Sequence, residues 1–134
     1  MDALIGKWQQ VGSVENIDGL LDAADAPQEI RHVAKNIKGD VEYSKNGDAW
    51  HFCAQFGTFK SDKDFKLNEE FDHMGVGGIP VKSTVRFEDG RFVESHVAAS
   101  KGWVAKHTKT ITGDTMTIEM ELKGVKAVQH MKRV

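Results

Sequence analysis

The histidines and the single cysteine are the first candidates for chemistry. Six histidines stand at positions 32, 51, 73, 96, 107 and 130, and their spacing matches no metal-ligand pattern. We therefore predict neither a metal site nor any other cofactor. Cys53 lies among alternating apolar residues, which favours a strand residue over a catalytic thiol. Since no nucleophile stands beside an identifiable base and no glycine-rich phosphate loop precedes a helix, the sequence does not predict an enzyme.

A histidine and a lysine share one face of the segment 104–111. His107 and Lys109 point to the same side if this segment is a strand, because alternate residues point to opposite faces. If Lys109 points inward, burying its ammonium without a partner costs several kcal/mol unless the group loses its proton. A ligand carboxylate would relieve that cost, and so would an internal glutamate or water. His107 could contact the same ligand or water.

Length and charge narrow the class of protein. We expect the 134 residues to form one domain spanning 1–134, large enough to fold without a disulfide or metal. The 18 basic and 20 acidic residues give a net charge of −2 and form no long run of one sign, so we expect no nucleic-acid partner. A lone cysteine, without a signal peptide or a membrane-length apolar run, indicates a soluble cytoplasmic protein, which we expect to be a monomer.

Helical spacing of apolar residues extends over any length only in residues 16–38. Apolar residues recur there every three or four positions, in two sets. Asn16 is suited to cap the first helix by accepting a hydrogen bond from a free N–H. Pro27 suits the first turn of the second helix, with Asp25 or Ala26 as its cap. We predict two short helices that close a β-barrel and guard its interior.

The rest of the chain consists of short alternating segments divided by tight turns. Asn46-Gly47, Asp89-Gly90 and Gly113-Asp114 are hairpin signals, because such turns need residues that adopt positive φ. We expect two strands within 58–72, divided near 61–63 or 67–68, and a flexible connection at 75–80. The other predicted strands are 4–13, 41–45, 49–55, 81–87, 91–97, 103–111, 115–122 and 125–133.

About ten consecutive strands joined mostly by hairpins tend to curl, since closure into a barrel removes the two exposed edges. We therefore predict an all-β fold, a ten-stranded antiparallel up-and-down β-barrel with a helix-turn-helix lid near the N-terminus. A barrel of about ten strands is wider than the roughly eight-stranded barrels that side chains can fill, so its interior should hold a cavity.

Apolar rows support a cavity with apolar walls. One inward row consists of Met116, Ile118, Met120 and Leu122, and another of Trp50, Phe52 and Ala54. Only 40% of the residues are hydrophobic, and several strands carry polar groups on both faces. Apolar walls with a few inward polar groups are what a site for an amphipathic small molecule requires.

Short motifs spread along the chain resemble the intracellular lipid-binding protein family, which includes the fatty-acid-, bile-acid- and retinoid-binding proteins. They are Gly6-Lys7-Trp8, Glu15-Asn16-Ile17-Asp18, Asn46-Gly47-Asp48, Thr58-Phe59-Lys60, Leu67–Asp72, Val81-Lys82-Ser83-Thr84, Glu88-Asp89-Gly90, Gly113-Asp114 and Lys123-Gly124-Val125. Each motif is weak alone, but their order and spacing are specific. The segment 26–38 and the closing Lys132-Arg133-Val134 look most like the liver-type and bile-acid-binding branch. The family fold is a calycin-type, ten-stranded barrel with a helical lid over a buried cavity.

The chain differs from the family at the ligand anchor. Many members hold a carboxylate with two inward arginines and a tyrosine, and the corresponding positions here are Lys109, Gln129 and Met131. Arginine suits that task because its planar fork makes two charge-assisted hydrogen bonds. The retinol-binding branch is similar in carrying glutamine where Gln129 stands, and an amide can bond a hydroxyl without a charge.

The resemblance implies a non-enzymatic carrier, with a long-chain fatty acid as the first choice of ligand, a retinoid next and a bile acid or sterol-like ligand third. The predicted ligand-binding residues are Lys109, Gln129, Met131, Trp50, Phe52, Phe59, Ile118, Met120 and His107. Lys109 and Gln129 would fix the polar head, Phe59 matches an aromatic near the family's portal, and Trp8 should plug the closed end. Two alternatives are an enzyme acting on a lipid in the cavity and an interaction module with a filled interior.

The two predicted helices carry opposite charges. The acidic stripe of the first helix and the basic stripe of the second consist of Asp18, Asp22 and Asp25, and of Arg31, Lys35 and Lys38. We expect the stripes to be solvated or to pair across the hairpin, for about 0–1 kcal/mol per exposed pair. The alternative is transient contact between the basic stripe and an anionic membrane during ligand transfer, as in some members of the family.

Overall fold

The computed structural model describes residues 1–74 and 79–134. Its helices and strands are α1 (Ile17–Ala23), α2 (Gln28–Asn36), β1 (Gly6–Glu15), β2 (Asp40–Asn46), β3 (Ala49–Phe56), β4 (Phe59–Lys66), β5 (Phe71–Met74), β6 (Pro80–Glu88), β7 (Arg91–Ala98), β8 (Trp103–Thr112), β9 (Thr115–Leu122) and β10 (Val125–Arg133). The predicted barrel with two helices near the N-terminus is confirmed. The predicted connection at 75–80 falls largely outside the described residues.

Turn chemistry sets most strand boundaries. Strands β9 and β10 begin and end where the sequence predicts, and β6 to β8 differ by at most one residue at an end. Asp89 and Gly90 both have positive φ, 52° and 76°, as the hairpin between β6 and β7 requires. Of the two divisions proposed within 58–72, the one near Asn68 is observed, where φ is 66°. Strand β1 starts later than predicted because Leu4 belongs to a short 3-10 turn, Asp2–Leu4.

One antiparallel sheet contains all ten described strands, in the order β4-β3-β2-β1-β10-β9-β8-β7-β6-β5. Its end strands, β4 and β5, come together, but no ladder hydrogen bonds join them in the described part of the chain. Phe65 on β4 instead stacks on Phe71 on β5, with ring centroids 5.3 Å apart. The barrel is therefore nearly closed, and side chains hold its seam.

Strand register places inward polar residues side by side on one wall. Lys109 on β8 pairs with Ile118 on β9, which pairs on its other side with Gln129 on β10. In the adjacent row, Glu94 on β7 pairs with His107 on β8. Because Cβ atoms of cross-strand partners lie only about 4.5–5.5 Å apart, these side chains can interact across strands.

Trp8 fills the end of the barrel away from the lid. Its side chain is fully buried, and Nε1 donates to the Leu4 carbonyl at 2.9 Å. The Arg133 guanidinium lies over the indole, 4.3 Å from the ring centroid, and Nη1 donates to the Ile5 carbonyl at 2.7 Å. These contacts agree with the structural role predicted for Trp8.

The residues that start the two helices differ from the prediction. Asn16 precedes α1 in a left-handed conformation, with φ 58°, and makes no side-chain capping bond. Its Nδ2 donates instead to the Lys126 carbonyl at 2.8 Å, because this backbone turns the amide toward β10. Pro27, and not Asp25 or Ala26, occupies the capping position of α2, since its φ of −69° and ψ of 163° suit the residue before a helix.

The two helices are held unequally. Helix α1 packs against β9, β10 and α2, and its Leu21 is buried. Helix α2 has no buried residue, although its Ile30, Val33 and Ala34 face the barrel interior. Within the described residues, neither helix has the length and apolar character needed to cross a membrane.

Candidate ligand-binding site

A cavity of about 370 Å³ lies between the barrel interior and the helices. The helices contribute Ile17, Leu20, Leu21, Ile30, Val33 and Ala34 to its lining. The apolar part of the barrel lining includes Val41, Phe52, Phe65, Phe71, Val85, Ile118, Met120 and Met131. The cavity therefore offers long apolar walls, and the helices form part of them.

The predicted ligand-binding residues, with the exception of Trp50, line this cavity. They are Lys109, Gln129, Met131, Phe52, Phe59, Ile118, Met120 and His107. They come from β3, β4, β8, β9 and β10. Their contact with a ligand stays a prediction.

Trp50 requires a correction, because it does not line the cavity. Its side chain is 1% exposed and stacks on Phe65, with centroids 6.2 Å apart, while Phe92 meets it edge-on at 6.0 Å. Trp50 shares an inward face with Phe52, as predicted, but it lies near the end of β3 opposite Phe56, which lines the cavity. At that depth the barrel is filled by its own aromatic core.

The charge of Lys109 is neutralised inside the barrel. Its Nζ lies 2.7 Å from Glu94 Oε2 and donates to the Tyr43 hydroxyl at 2.6 Å. All three residues are buried. Of the partners that the sequence left open for Lys109, the structure supplies an internal glutamate.

A hydrogen-bonded chain continues from Glu94 through two histidines and a serine. His96 Nε2 donates to Glu94 Oε1 at 2.9 Å. His96 Nδ1 lies 2.6 Å from Ser83 Oγ, which lies 2.7 Å from His73 Nε2. With the His96 proton on Nε2, its Nδ1 accepts from the Ser83 hydroxyl, and the Ser83 oxygen accepts from His73 Nε2. We call Tyr43, Lys109, Glu94, His96, Ser83 and His73 the polar chain.

The surroundings of the polar chain keep Lys109 and Glu94 charged, and they keep the imidazoles of His73 and the neighbouring His107 neutral. Burial would raise the pKa of Glu94, but Lys109 together with His96 and His107 more than offsets this effect. Burial would lower the pKa of Lys109, but Glu94 together with Tyr43 more than offsets it. The pKa of Glu94 is thus lowered and that of Lys109 raised. Burial, assisted by His96, lowers the pKa of His107 to about 3 and that of His73 to about 4. At pH 7 Lys109 is therefore positively charged and Glu94 negatively charged, and the imidazoles of His73 and His107 are neutral.

Glu94, His96 and His107 also place potential metal-ligand atoms within 4.8 Å of one another. The register of β7 against β8 creates this group, which linear spacing could not reveal. Two histidines and a carboxylate are a known ligand set for divalent transition metals. Here, however, Lys109 already holds Glu94 at 2.7 Å, and its positive charge opposes a second cation. That the protein has no metal site stays a prediction.

Ser83, His96 and Glu94 are linked in the order of a nucleophile, a base and a carboxylate. The Ser83 side chain is 0% exposed, however, and in the described part of the chain it is not among the cavity-lining residues. Its hydroxyl is therefore not presented to a molecule in the cavity. This geometry favours a structural role for Ser83 over a catalytic one.

Sequence reasoning missed most of the polar chain. Alternation along β7 places Glu94 and His96 on one face, which was the available signal. Tyr43 on β2 and Lys109 on β8 are 66 residues apart and meet only across the closed barrel. Local patterns could not reveal that contact.

The opposite charges of the two helices pair across the hairpin, as predicted. Arg31 Nη1 lies 2.5 Å from Asp22 Oδ1, and Lys35 Nζ lies 2.8 Å from Asp18 Oδ1. Arg31 Nε also donates to the Ala26 carbonyl at 2.8 Å, which ties α2 to the turn before it. Two of the three basic residues are thus engaged within the lid, and membrane contact through them stays a prediction.

Comparison with known proteins identifies the relatives of this barrel. No family model matches the chain. A fatty acid-binding protein of Lepidoglyphus destructor is 31% identical over 121 residues, covering 89% of each chain. Fatty acid-binding protein homolog 6 of Caenorhabditis elegans is 36% identical over 90 residues, covering 66% of this chain and 65% of that protein. The fold matches a Schistosoma mansoni fatty acid binding protein in complex with arachidonic acid with a TM-score of 0.92 at 23% identity, over 100% of this chain and 98% of the other.

The chain therefore belongs to the fatty-acid-binding protein family. This is the intracellular lipid-binding family that the sequence motifs resemble. Its similarity to the liver-type, bile-acid-binding and retinol-binding branches stays a prediction.

Proposed function

We propose that this protein is a non-enzymatic carrier that encloses a hydrophobic ligand in the barrel cavity. The observation that carries this proposal is a cavity of about 370 Å³ with apolar walls, roofed by two helices and holding buried polar groups at one wall. The names of the relatives support a lipid as the ligand, and the arachidonic acid complex of the Schistosoma mansoni protein supports a long-chain one.

Burial of the apolar chain would supply most of the binding free energy. Each buried methylene contributes about 0.8 kcal/mol, from which the cost of immobilising ligand and lid must be subtracted. Met120 and Met131 lie along the cavity wall with Ile118, and unbranched methionines adapt to ligands of different shape. Phe52 and Phe59 would contact the ligand nearer the lid.

A long-chain fatty acid is the first candidate for the ligand, because the relatives are fatty acid-binding proteins. An alcohol of the retinoid type is the second candidate, and two observations favour it. Lys109 already has Glu94 as a counter-ion, so its charge is not free for a carboxylate. Gln129, which lines the cavity, could hydrogen-bond a hydroxyl without a charge.

Organic extraction of the purified protein followed by mass spectrometry tests the proposed function. We expect a lipid in stoichiometric amount, and we expect the extracted protein to bind the neutral dye Nile red and to release it to long-chain lipids. A protein that carries no lipid and binds none would contradict a carrier and favour the interaction-module alternative. A lipid that is chemically altered during incubation, with loss of turnover in a His107→Gln variant, would favour the enzyme alternative.

A further inference from the structure

Among the described residues, Lys109 and Glu94 are the only buried Lys, Arg, Asp or Glu side chains, and their charges balance each other at one wall of the cavity. Lys109 and Glu94 form a buried ion pair at 2.7 Å, and the ammonium also donates a hydrogen bond to the Tyr43 hydroxyl at 2.6 Å. His96 donates to Glu94, and His107 Nδ1 lies 3.9 Å from the same Glu94 oxygen, beyond hydrogen-bonding distance. No other charged residue among those described on β7 and β8 lines the cavity.

The described residues of the remaining strands around this wall supply no free counter-charge. Strand β5 contributes His73, which burial keeps neutral, and the cavity-lining residue of β6 is the apolar Val85. Strand β10 contributes the Gln129 amide, and the cavity-lining residues of β9 are apolar. Lys63 on β4 lies in the groove beside the seam, and Asp40 at the start of β2 is exposed, so neither neutralises a buried head group.

Three uncharged groups at this wall stay available to a ligand. Tyr43 accepts a hydrogen bond from Lys109, which leaves its own O–H to donate. His107 lines the cavity and makes no hydrogen bond to the described residues, so a ring nitrogen can accept. Gln129 lines the cavity nearby, with an amide that can donate and accept.

A carboxylate entering this wall would bring one uncompensated negative charge into the barrel. If it displaced Glu94 from Lys109, the unpaired buried negative charge would be that of Glu94 and the net charge would be the same. Burying an unpaired charge costs several kcal/mol or more. A head group with no net charge avoids that cost.

We propose that the cavity binds lipid head groups that are electrically neutral when bound, so that a fatty acid enters together with one proton and a fatty alcohol enters without one. This inference rests on the proposed carrier function and specifies its ligand chemistry. The proton added to the carboxylate forms a hydroxyl that donates to His107, while Tyr43 donates to the carbonyl oxygen. An alcohol makes the same pair of hydrogen bonds with its single oxygen.

Calorimetry with matched ligands tests the proposal on the unmodified protein. Dodecanoic acid and 1-dodecanol are titrated at pH 7.4 in phosphate and in Tris. Because the ionisation enthalpies of the two buffers differ, the difference between the observed binding enthalpies gives the number of protons taken up on binding. We expect about one proton taken up per bound acid and none per bound alcohol. The apparent affinity for the acid should fall about tenfold per pH unit between pH 6.5 and 8.5, and that for the alcohol should stay constant.

A Glu94→Gln variant provides a second test. Removing the negative partner leaves Lys109 as a free cation, so the acid should bind without taking up a proton. Its affinity relative to the alcohol at pH 7.4 should rise at least about tenfold over the ratio for the unmodified protein. The matched control is Glu119→Gln, at an exposed position on β9, which should leave the ratio and the proton count unchanged.

The outcomes separate this inference from the proposed function. Acid binding by the unmodified protein without proton uptake, or acid binding without any alcohol binding, would overturn the neutral-head proposal and leave the carrier function standing. Failure of both lipids to bind would overturn both proposals. If Glu94→Gln does not fold, the buffer comparison on the unmodified protein decides alone.

Discussion

The effect on stability of substituting one residue of the polar chain depends on the residues that it contacts. Lys109 and Glu94 are both buried, and each stabilises the charged form of the other. Such a pair contributes little net stability compared with an apolar pair of the same size, but removing one partner leaves a buried charge without compensation. Substitutions of the two residues should therefore not be additive.

We predict that Lys109→Met lowers the free energy of unfolding by about 3–5 kcal/mol, because Glu94 loses its counter-ion. The double variant Lys109→Met/Glu94→Gln should recover most of that loss, since no buried charge is left unpaired. Urea unfolding of both single variants, the double variant and the unmodified protein completes the cycle.

Lys106→Met is the matched control, because Lys106 is exposed on the same strand. We expect it to change stability by no more than about 0.5 kcal/mol. A double variant no more stable than Lys109→Met would show that the ion pair is not the source of the loss.

The helices and strands show where local patterns sufficed and where they did not. The hairpin turns have short-range causes, so β9 and β10 were predicted at their observed bounds. The capping role of Asn16 was predicted wrongly because its side chain bonds the Lys126 carbonyl, a contact 110 residues away in sequence. Trp50 faces inward as predicted but does not line the cavity, because alternation indicates the side of a strand on which a residue lies and not its position along the barrel. Glu94 and Tyr43 were missed as partners of Lys109 because strand register and barrel closure bring them together.

The unequal anchoring of the two helices predicts which element of the lid opens. Helix α1 has a buried leucine and the Asn16 tie to β10, whereas α2 has no buried residue. We expect amides of α2 to exchange with deuterium faster than those of α1, β9 and β10, and to slow when Nile red or a long-chain lipid is bound. Hydrogen exchange with mass spectrometry measures this by segment. Equal protection of α2 and the barrel strands would argue against α2 as the gate.

For the whole molecule, two partly buried neutral imidazoles make folding sensitive to acid. The pKa of His107 is lowered to about 3 and that of His73 to about 4, whereas both titrate near 6.5 in the unfolded chain. Below that value the unfolded state binds more protons than the folded state, so stability falls as the pH falls. The loss is at most about 1.4 kcal/mol per pH unit for each imidazole.

We therefore predict that the urea midpoint is lower at pH 5 than at pH 7, and that His107→Gln reduces this difference. Unfolding curves at the two pH values measure it, and the interval lies above the range in which most carboxylates titrate. His32→Gln, at an exposed position on α2, is the control and should keep the full difference. An unchanged pH dependence in His107→Gln would exclude this histidine as a source of the acid sensitivity.

The seam between β4 and β5 has a consequence for how copies of this protein meet one another. Strands without a neighbour can recruit another chain through their free backbone groups, which is a common route to aggregation. Strand β4 presents exposed Lys60, Asp62, Asp64 and Lys66 along its outer face, and Asp72 is exposed on β5. A strand from another molecule that paired with this edge would have to place its own side chains against these closely spaced charges, which disfavours the pairing. The molecule thus keeps an opening in its wall without offering a template for intermolecular strand addition.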